Sequence, residues 1–192
     1  MGYTKLNIDK IKAKALDSKK AKEKAFEKAN KKVQEEKEKL IQEFQSHPVT
    51  LEIASGPKSS NISRTLNGYG NLFSFIGFES DSDPITPLKD LLMTIKTKNI
   101  KVLNKSYSIT VQYPSKSEIE KVTPLPFENG RSWAEGIEKG ISGFTQYVYA
   151  KFLAGRSKEG YESKNNFRTG DFRKTPYLRS MINNFIDKIK NK

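Results

Sequence analysis

The side chains able to do chemistry are few, and their types narrow what that chemistry could be. His47 is the only histidine. It stands directly before Pro48, where a helix-end or turn residue is expected rather than a general base. There is no cysteine, so thiolate nucleophiles, thiolate metal sites and disulfides are excluded. Glu79, Asp81 and Asp83 alternate at a spacing that could hold calcium, but the glycine and distal glutamate of an EF-hand loop do not follow. No P-loop, GxSxG elbow or HExxH helix occurs. Carboxylates distant in the chain could still meet, yet many of them lie in a Lys/Glu-rich helical region, where a solvated face explains them. No catalytic residue, cofactor or metal is expected.

What the sequence does offer is contact chemistry. In Gly155 to Lys174, Tyr161, Phe167 and Phe172 interleave with Arg156, Lys164, Arg168, Arg173 and Lys174. Aromatics among cations suit the stacking and phosphate contacts of a nucleic-acid groove, and the same residues would serve an arm that docks on a neighbouring subunit. The net charge of +13 sits at the two ends. Residues 1–46 carry thirteen lysines against eight acids and residues 151–192 eleven cations against four acids, while the stretch between is nearly neutral. Basic ends on a neutral body point to a polyanion or an acidic partner surface; lysine-rich composition also serves solubility.

The least generic stretch is Asn61 to Phe78, NISRTLNGYGNLFSFIGF, in which Gly68, Gly70 and Gly77 punctuate an apolar, aromatic run. It reads as a Gly68–Gly70 turn feeding a buried strand, because glycine beside aromatics marks a turn or a close backbone approach. The run would be either a core hairpin or a surface that pairs with another copy. On the second reading Tyr69, Phe73 and Phe75 make subunit contacts, joined by Phe26, Val33 and Leu40 from the N-terminal helix.

SRTLNGYGNLFSFIGFESDSDPI (Ser63 to Ile85), the preceding FQSHPVTLEI (Phe44 to Ile53) and GRSWAEGIEKGISGF (Gly130 to Phe144) together resemble small virion proteins of tailed bacteriophages, of the neck or tail-completion (head–tail connector) type. The resemblance covers roughly half of the chain and involves no catalytic signature. It implies a compact α+β subunit that forms a ring with other copies of itself around the DNA exit channel. Portal or adaptor proteins and tail proteins would be its partners, with double-stranded DNA or acidic protein surfaces opposite the basic groups. It also implies a place in the virion after assembly in the host cytoplasm. A stand-alone nucleic-acid-binding protein using the basic C-terminal arm, or a tail or baseplate component, are the other readings.

The elements that must position these residues follow from pattern. Asp9 to Gln45 lacks Gly and Pro and predicts a helix of ~55 Å at 1.5 Å per residue. Its thin apolar stripe is Phe26, Ala29, Val33, Leu40 and Phe44, and it ends at Ser46-His47-Pro48. Val49–Ile53 is a short strand candidate and Ala54–Ser60 a loop. Asp83 caps or turns into a helix over Pro84–Thr97. Ile100–Leu103 and Ser106–Tyr113 form a hairpin about Asn104-Lys105, with period-two alternation in its second strand. Ser115 and Glu118 have capping-box spacing for a helix to Val122. Thr123–Gly130 reads as a proline-rich loop, Trp133–Leu153 as a helix with Gly136, Gly140 and Gly143 on one face, and Pro176 as the start of a final helix bearing Tyr177, Met181, Phe185 and Ile189.

The expected fold is therefore a single α+β domain: a small, mainly antiparallel sheet flanked by helices, with a long N-terminal helix. Its parts are a basic amphipathic helix (1–46), an α+β core (47–154), and a basic arm with C-terminal helix (155–192). Only 35% of residues are apolar and mean hydropathy is −0.70, low enough to suggest that some of the length is exposed or belongs to an interface with a partner. No run approaches the ~20 apolar residues of a spanning helix, and the N-terminus lacks the apolar core of a signal peptide.

Overall fold

A computed structural model describes residues 18–66, 70–103, 106–126, 128–140 and 173–190. The protein is α+β. Among the described residues there are seven α-helices and two separate two-stranded antiparallel sheets.

Helix α1 (Lys19–Ser46) is opened by Ser18, whose Oγ accepts the Ala21 N–H at 3.3 Å. Of its apolar stripe, Val33, Leu40 and Phe44 are buried and Phe26 is half-buried. The ion pairs Lys19–Glu23 and Lys31–Glu35 are long and exposed and contribute little. The helix stops where Pro48 forbids helical geometry to its predecessor: His47 is extended, with φ −65° and ψ 134°.

The same histidine opens α2 (Pro48–Ala54), its Nδ1 accepting the Val49 N–H at 3.3 Å with proline in the first turn. The strand expected at Val49–Ile53 is thus a helix. Five residues are too few to show a period, and Val49 and Ile53 are buried together one helical turn apart. A 3-10 turn, Gly56–Lys58, follows.

Helix α3 (Leu72–Ile76) replaces the buried strand expected in the aromatic run. Asn71 Oδ1 accepts the Ser74 N–H at 2.9 Å, while its Nδ2 donates to the carbonyls of Pro57 and Ser59 at 2.8 and 2.9 Å. Gly77 closes the helix at φ 87°, and the Phe78 N–H reaches back to the Phe73 carbonyl at 3.2 Å. That is the left-handed glycine stop of a short helix. Leu72, Phe73, Phe75 and Ile76 are all buried, so the sequence has no polar face from which a helical period could be read.

Helix α4 (Thr86–Met93) begins just after Asp83, whose Oδ1 accepts the Ile85 and Thr86 N–H groups at 3.1 and 3.0 Å. It ends four residues before the expected Thr97, and the chain passes directly into β1 (Lys96–Leu103), paired antiparallel with β2 (Ser106–Gln112). The capping box forms as expected on α5 (Lys116–Val122): Glu118 N donates to Ser115 Oγ at 3.3 Å, and Glu118 Oε2 accepts the Ser115 N–H at 2.8 Å.

In place of a proline-rich loop, β3 (Pro124–Leu125) pairs with β4 (Glu128–Ser132). Their junction is fixed by a 2.6 Å contact between the buried Thr123 and Ser132 hydroxyls. Helix α6 (Trp133–Lys139) stops at Gly140, φ 99°, well short of Leu153; residues 141–153 lie outside the described part. Helix α7 (Leu178–Lys190) buries Met181 and Phe185 and half-buries Ile189, with Tyr177 buried just ahead of it.

One core draws on all of these pieces. Phe44 of α1 lies 6.2 Å from Tyr177, Tyr177 6.4 Å from Trp133, Trp133 5.9 Å and edge-on to Phe78, and Phe78 5.3 Å from Phe73. Helix α1 packs along α7 on one side and against α4 and the β1–β2 hairpin on others. No helix among the described residues is long and apolar enough to cross a membrane.

Candidate functional site

Among the described residues, the buried groups with acid–base potential hold the fold together. Burial lowers the pKa of His47, partly offset by the Glu43 charge and the Pro176 carbonyl. Its ring lies 5.0 Å from that of Tyr177. Burial pushes the Tyr177 phenol far up, and its hydroxyl meets Thr50 Oγ1 at 2.8 Å, so it stays neutral. Glu52, fully buried, accepts the Leu72 N–H through Oε1 and the Ser63 N–H through Oε2, both at 2.7 Å. It joins α2 to the turn before α3 and to the start of α3 itself. Glu79, Asp81 and Asp83 are exposed, and no group of three metal-ligating side chains comes together among the described residues.

Among the described residues, an open cleft of about 240 Å³ lies where the end of β2 meets α5, α6 and α7. Its floor is apolar: Ile119 from α5, Ala134 from α6, and Leu178, Ile182 and Ile186 from α7. These residues converge because each helix turns one stripe inward and the stripes meet at their edges.

The rim is charged and internally paired. Lys116 Nζ lies 3.3 Å from Glu120 Oε1 and 2.8 Å from Glu135 Oε1, which Lys139 Nζ also approaches at 2.9 Å. Hydrogen bonding to Lys116, then to Lys139, holds the Glu135 carboxyl down at about 2. Glu138 Oε1 accepts the Arg179 N–H at 2.7 Å, tying α6 to the first turn of α7. Tyr113, 44% exposed, stands at the mouth. The volume falls below the ~300–1,000 Å³ of small-molecule pockets. An apolar floor inside a neutralised rim is suited to one or two side chains of another protein.

The residues singled out in the sequence are scattered relative to this cleft. Phe73 and Phe75, 2% and 5% exposed, and Val33 and Leu40, both 3%, fill the chain's own core. They therefore offer no surface to a second copy, and the core reading of the aromatic run replaces the contact reading for these four. Phe26 is half-buried on α1. Tyr69, Arg156, Lys164 and Arg168 lie outside the described residues. Arg173 and Lys174 are exposed just ahead of Thr175, whose N–H reaches the Ile137 carbonyl of α6 at 3.3 Å.

The cleft itself escaped the sequence reading because its walls come from three helices between residues 116 and 190. The one available signal was apolar positions on α5 and α7 left over from the core stripes. Glu52 carries no sequence signal at all, since a glutamate in a helix reads as solvated. Comparisons with protein families, with curated proteins and with solved structures find no match to this chain.

Proposed function

We propose that the chain is a non-catalytic structural subunit of a tailed-phage virion, of the neck or tail-completion type. It would join head and tail by associating with copies of itself and with neighbouring rings around the DNA channel. The observation that carries this reading is the α5–α6–α7 cleft, whose apolar floor and self-paired rim fit an inserted protein side chain better than a reacting small molecule. The likeness to phage neck proteins supports it from another direction. The three segments that bear the likeness pack on one another, with Phe78 against Trp133 and Glu52 bonded to Ser63 and Leu72. The basic residues near the end of the chain would face channel DNA or acidic partner surfaces.

The test is assembly. The purified protein should form an oligomer by native mass measurement, and phage lacking it should accumulate filled heads and unattached tails. Asn183→Trp, at an exposed position on the cleft wall, should leave the fold intact and abolish association. A protein that stays monomeric at high concentration, together with particles that join normally without it, would end this reading.

A further inference from the structure

The β1–β2 hairpin has two unlike faces. Register pairs Thr97 with Val111, Ile100 with Ile109 and Val102 with Tyr107, and these six residues are half-buried. The opposite face pairs Lys96 with Gln112, Asn99 with Thr110, Lys101 with Ser108 and Leu103 with Ser106, and all eight are exposed.

Simple alternation would not put the lysines together. Counting by twos, Lys96 and Lys98 share one side of a strand and Lys101 falls on the other. The register shift between Thr97 and Asn99 inserts Lys98 as an extra residue. Lys98 and Asn99 then stand exposed in succession, and Lys101 comes round to the side of Lys96. Bulges of this kind re-aim side chains.

Charge makes this face distinct from the rest of the surface. No acid occurs between Asp90 and Glu118, an interval holding five lysines. Lysines on the helices find carboxylates, as Lys19, Lys31, Lys39, Lys116 and Lys139 do. Lys96, Lys98 and Lys101 have no ion pair among the described residues.

We propose that this outer face binds the phosphate backbone of double-stranded DNA without reading its sequence. Lysines interspersed with Ser, Thr, Asn and Gln side chains are the donor set that contacts phosphate and sugar oxygens, and a two-stranded ribbon is slim enough to lie along a groove. The register carries Lys96 opposite Gln112 and Lys101 opposite Ser108, positions that lie four residues apart on the unbulged strand, so at about 3.3 Å per residue the ends of the lysine row stand about 13 Å apart. Long, flexible lysine side chains on a row of that length can each reach a different phosphate of the duplex. The same donors would also meet carboxylates of an acidic protein surface, an outcome that absence of duplex binding would reveal. The inference concerns the hairpin alone, so it stands or falls independently of the chain's place in a particle.

The experiment measures binding of the full chain to a random-sequence 30-base-pair duplex by fluorescence anisotropy across a salt series. Each lysine on a phosphate contributes roughly 0.9 to the slope of log affinity against log salt. K96Q/K98Q/K101Q should therefore lower that slope by about 2 to 3, with unchanged circular dichroism, and K96R/K98R/K101R should restore it. R173Q/K174Q, at exposed positions ahead of α7, separates the hairpin from the C-terminal region. The proposal is overturned if the glutamine triple keeps the wild-type slope, if only R173Q/K174Q lowers it, or if the protein binds anionic vesicles but not the duplex.

Discussion

Thr50 and Tyr177 meet hydroxyl to hydroxyl at 2.8 Å inside the core, joining the second helix to the residue that opens the last. Tyr177→Phe removes one partner and leaves a buried hydroxyl unsatisfied, at a cost of about 1–3 kcal/mol. Adding Thr50→Val removes the orphan and should recover most of that loss. Urea denaturation of the two single variants and the double variant measures the cycle. Additive losses would mean the hydroxyls do not depend on one another.

Glu52 should behave as a splint whose two oxygens both matter. Glu52→Ala orphans two backbone N–H groups and should cost about 2–5 kcal/mol. Glu52→Gln should rescue little, because a carboxamide offers one acceptor and turns an NH2 toward the second N–H. Denaturation midpoints of both variants check this, and wild-type stability in Glu52→Gln would refute it.

Stability should have an acid limb set partly by Glu135. Its carboxyl lies at about 2 in the folded chain against an ordinary value of 4.5, so on acidification the unfolded chain takes up the proton first. Its contribution is complete above about 4.5 and is lost as pH falls from there through about 2. Lys116→Met removes the main cause, which should raise the Glu135 midpoint and flatten that limb in a pH series of melts.

His47 acts in the same sense nearer neutrality. Burial holds its folded pKa below the ordinary 6.5, so stability falls as pH drops from 6.5 toward the folded value. An NMR titration should place the His47 midpoint below 6.5 in the native protein. A midpoint above 6.5 would contradict the burial of the ring.

Gly140 separates two accounts of helix α6. If the helix ran on toward Leu153, Gly140→Ala would stabilise by about 1 kcal/mol through helix propensity. With φ at 99°, alanine instead meets the left-handed penalty of about 1–2 kcal/mol. A fall in melting temperature is expected, and a rise would place the helix end elsewhere.

Much of the architecture was legible where one period ran long enough to be counted. The α1 stripe through Val33, Leu40 and Phe44, the alternation of Tyr107, Ile109 and Val111, the Ser115–Glu118 box and the α7 face of Met181 and Phe185, with Tyr177 just ahead of it, all stand where the pattern places them. Short segments misled. Val49–Ile53 and Leu72–Ile76 are helices because their ends are capped, by His47 and by Asn71 with Gly77. Caps decide a one-turn helix more than composition does. The cleft and the two-faced hairpin were not legible, since one needs three helices brought together and the other a single inserted residue that no pattern announces.

The ring-to-ring chain from Phe44 through Tyr177 and Trp133 to Phe78 also sets an order of events during synthesis. A nascent polypeptide that has emerged only as far as α6 still lacks Tyr177, Met181 and Phe185, so its first helix has nothing to lie against on that side. Closure must wait until position 185 clears the ribosome, and contacts so distant along the chain form slowly. Until then the apolar flank of α1 is open to other molecules, a window in which chaperones or a second nascent chain could engage it.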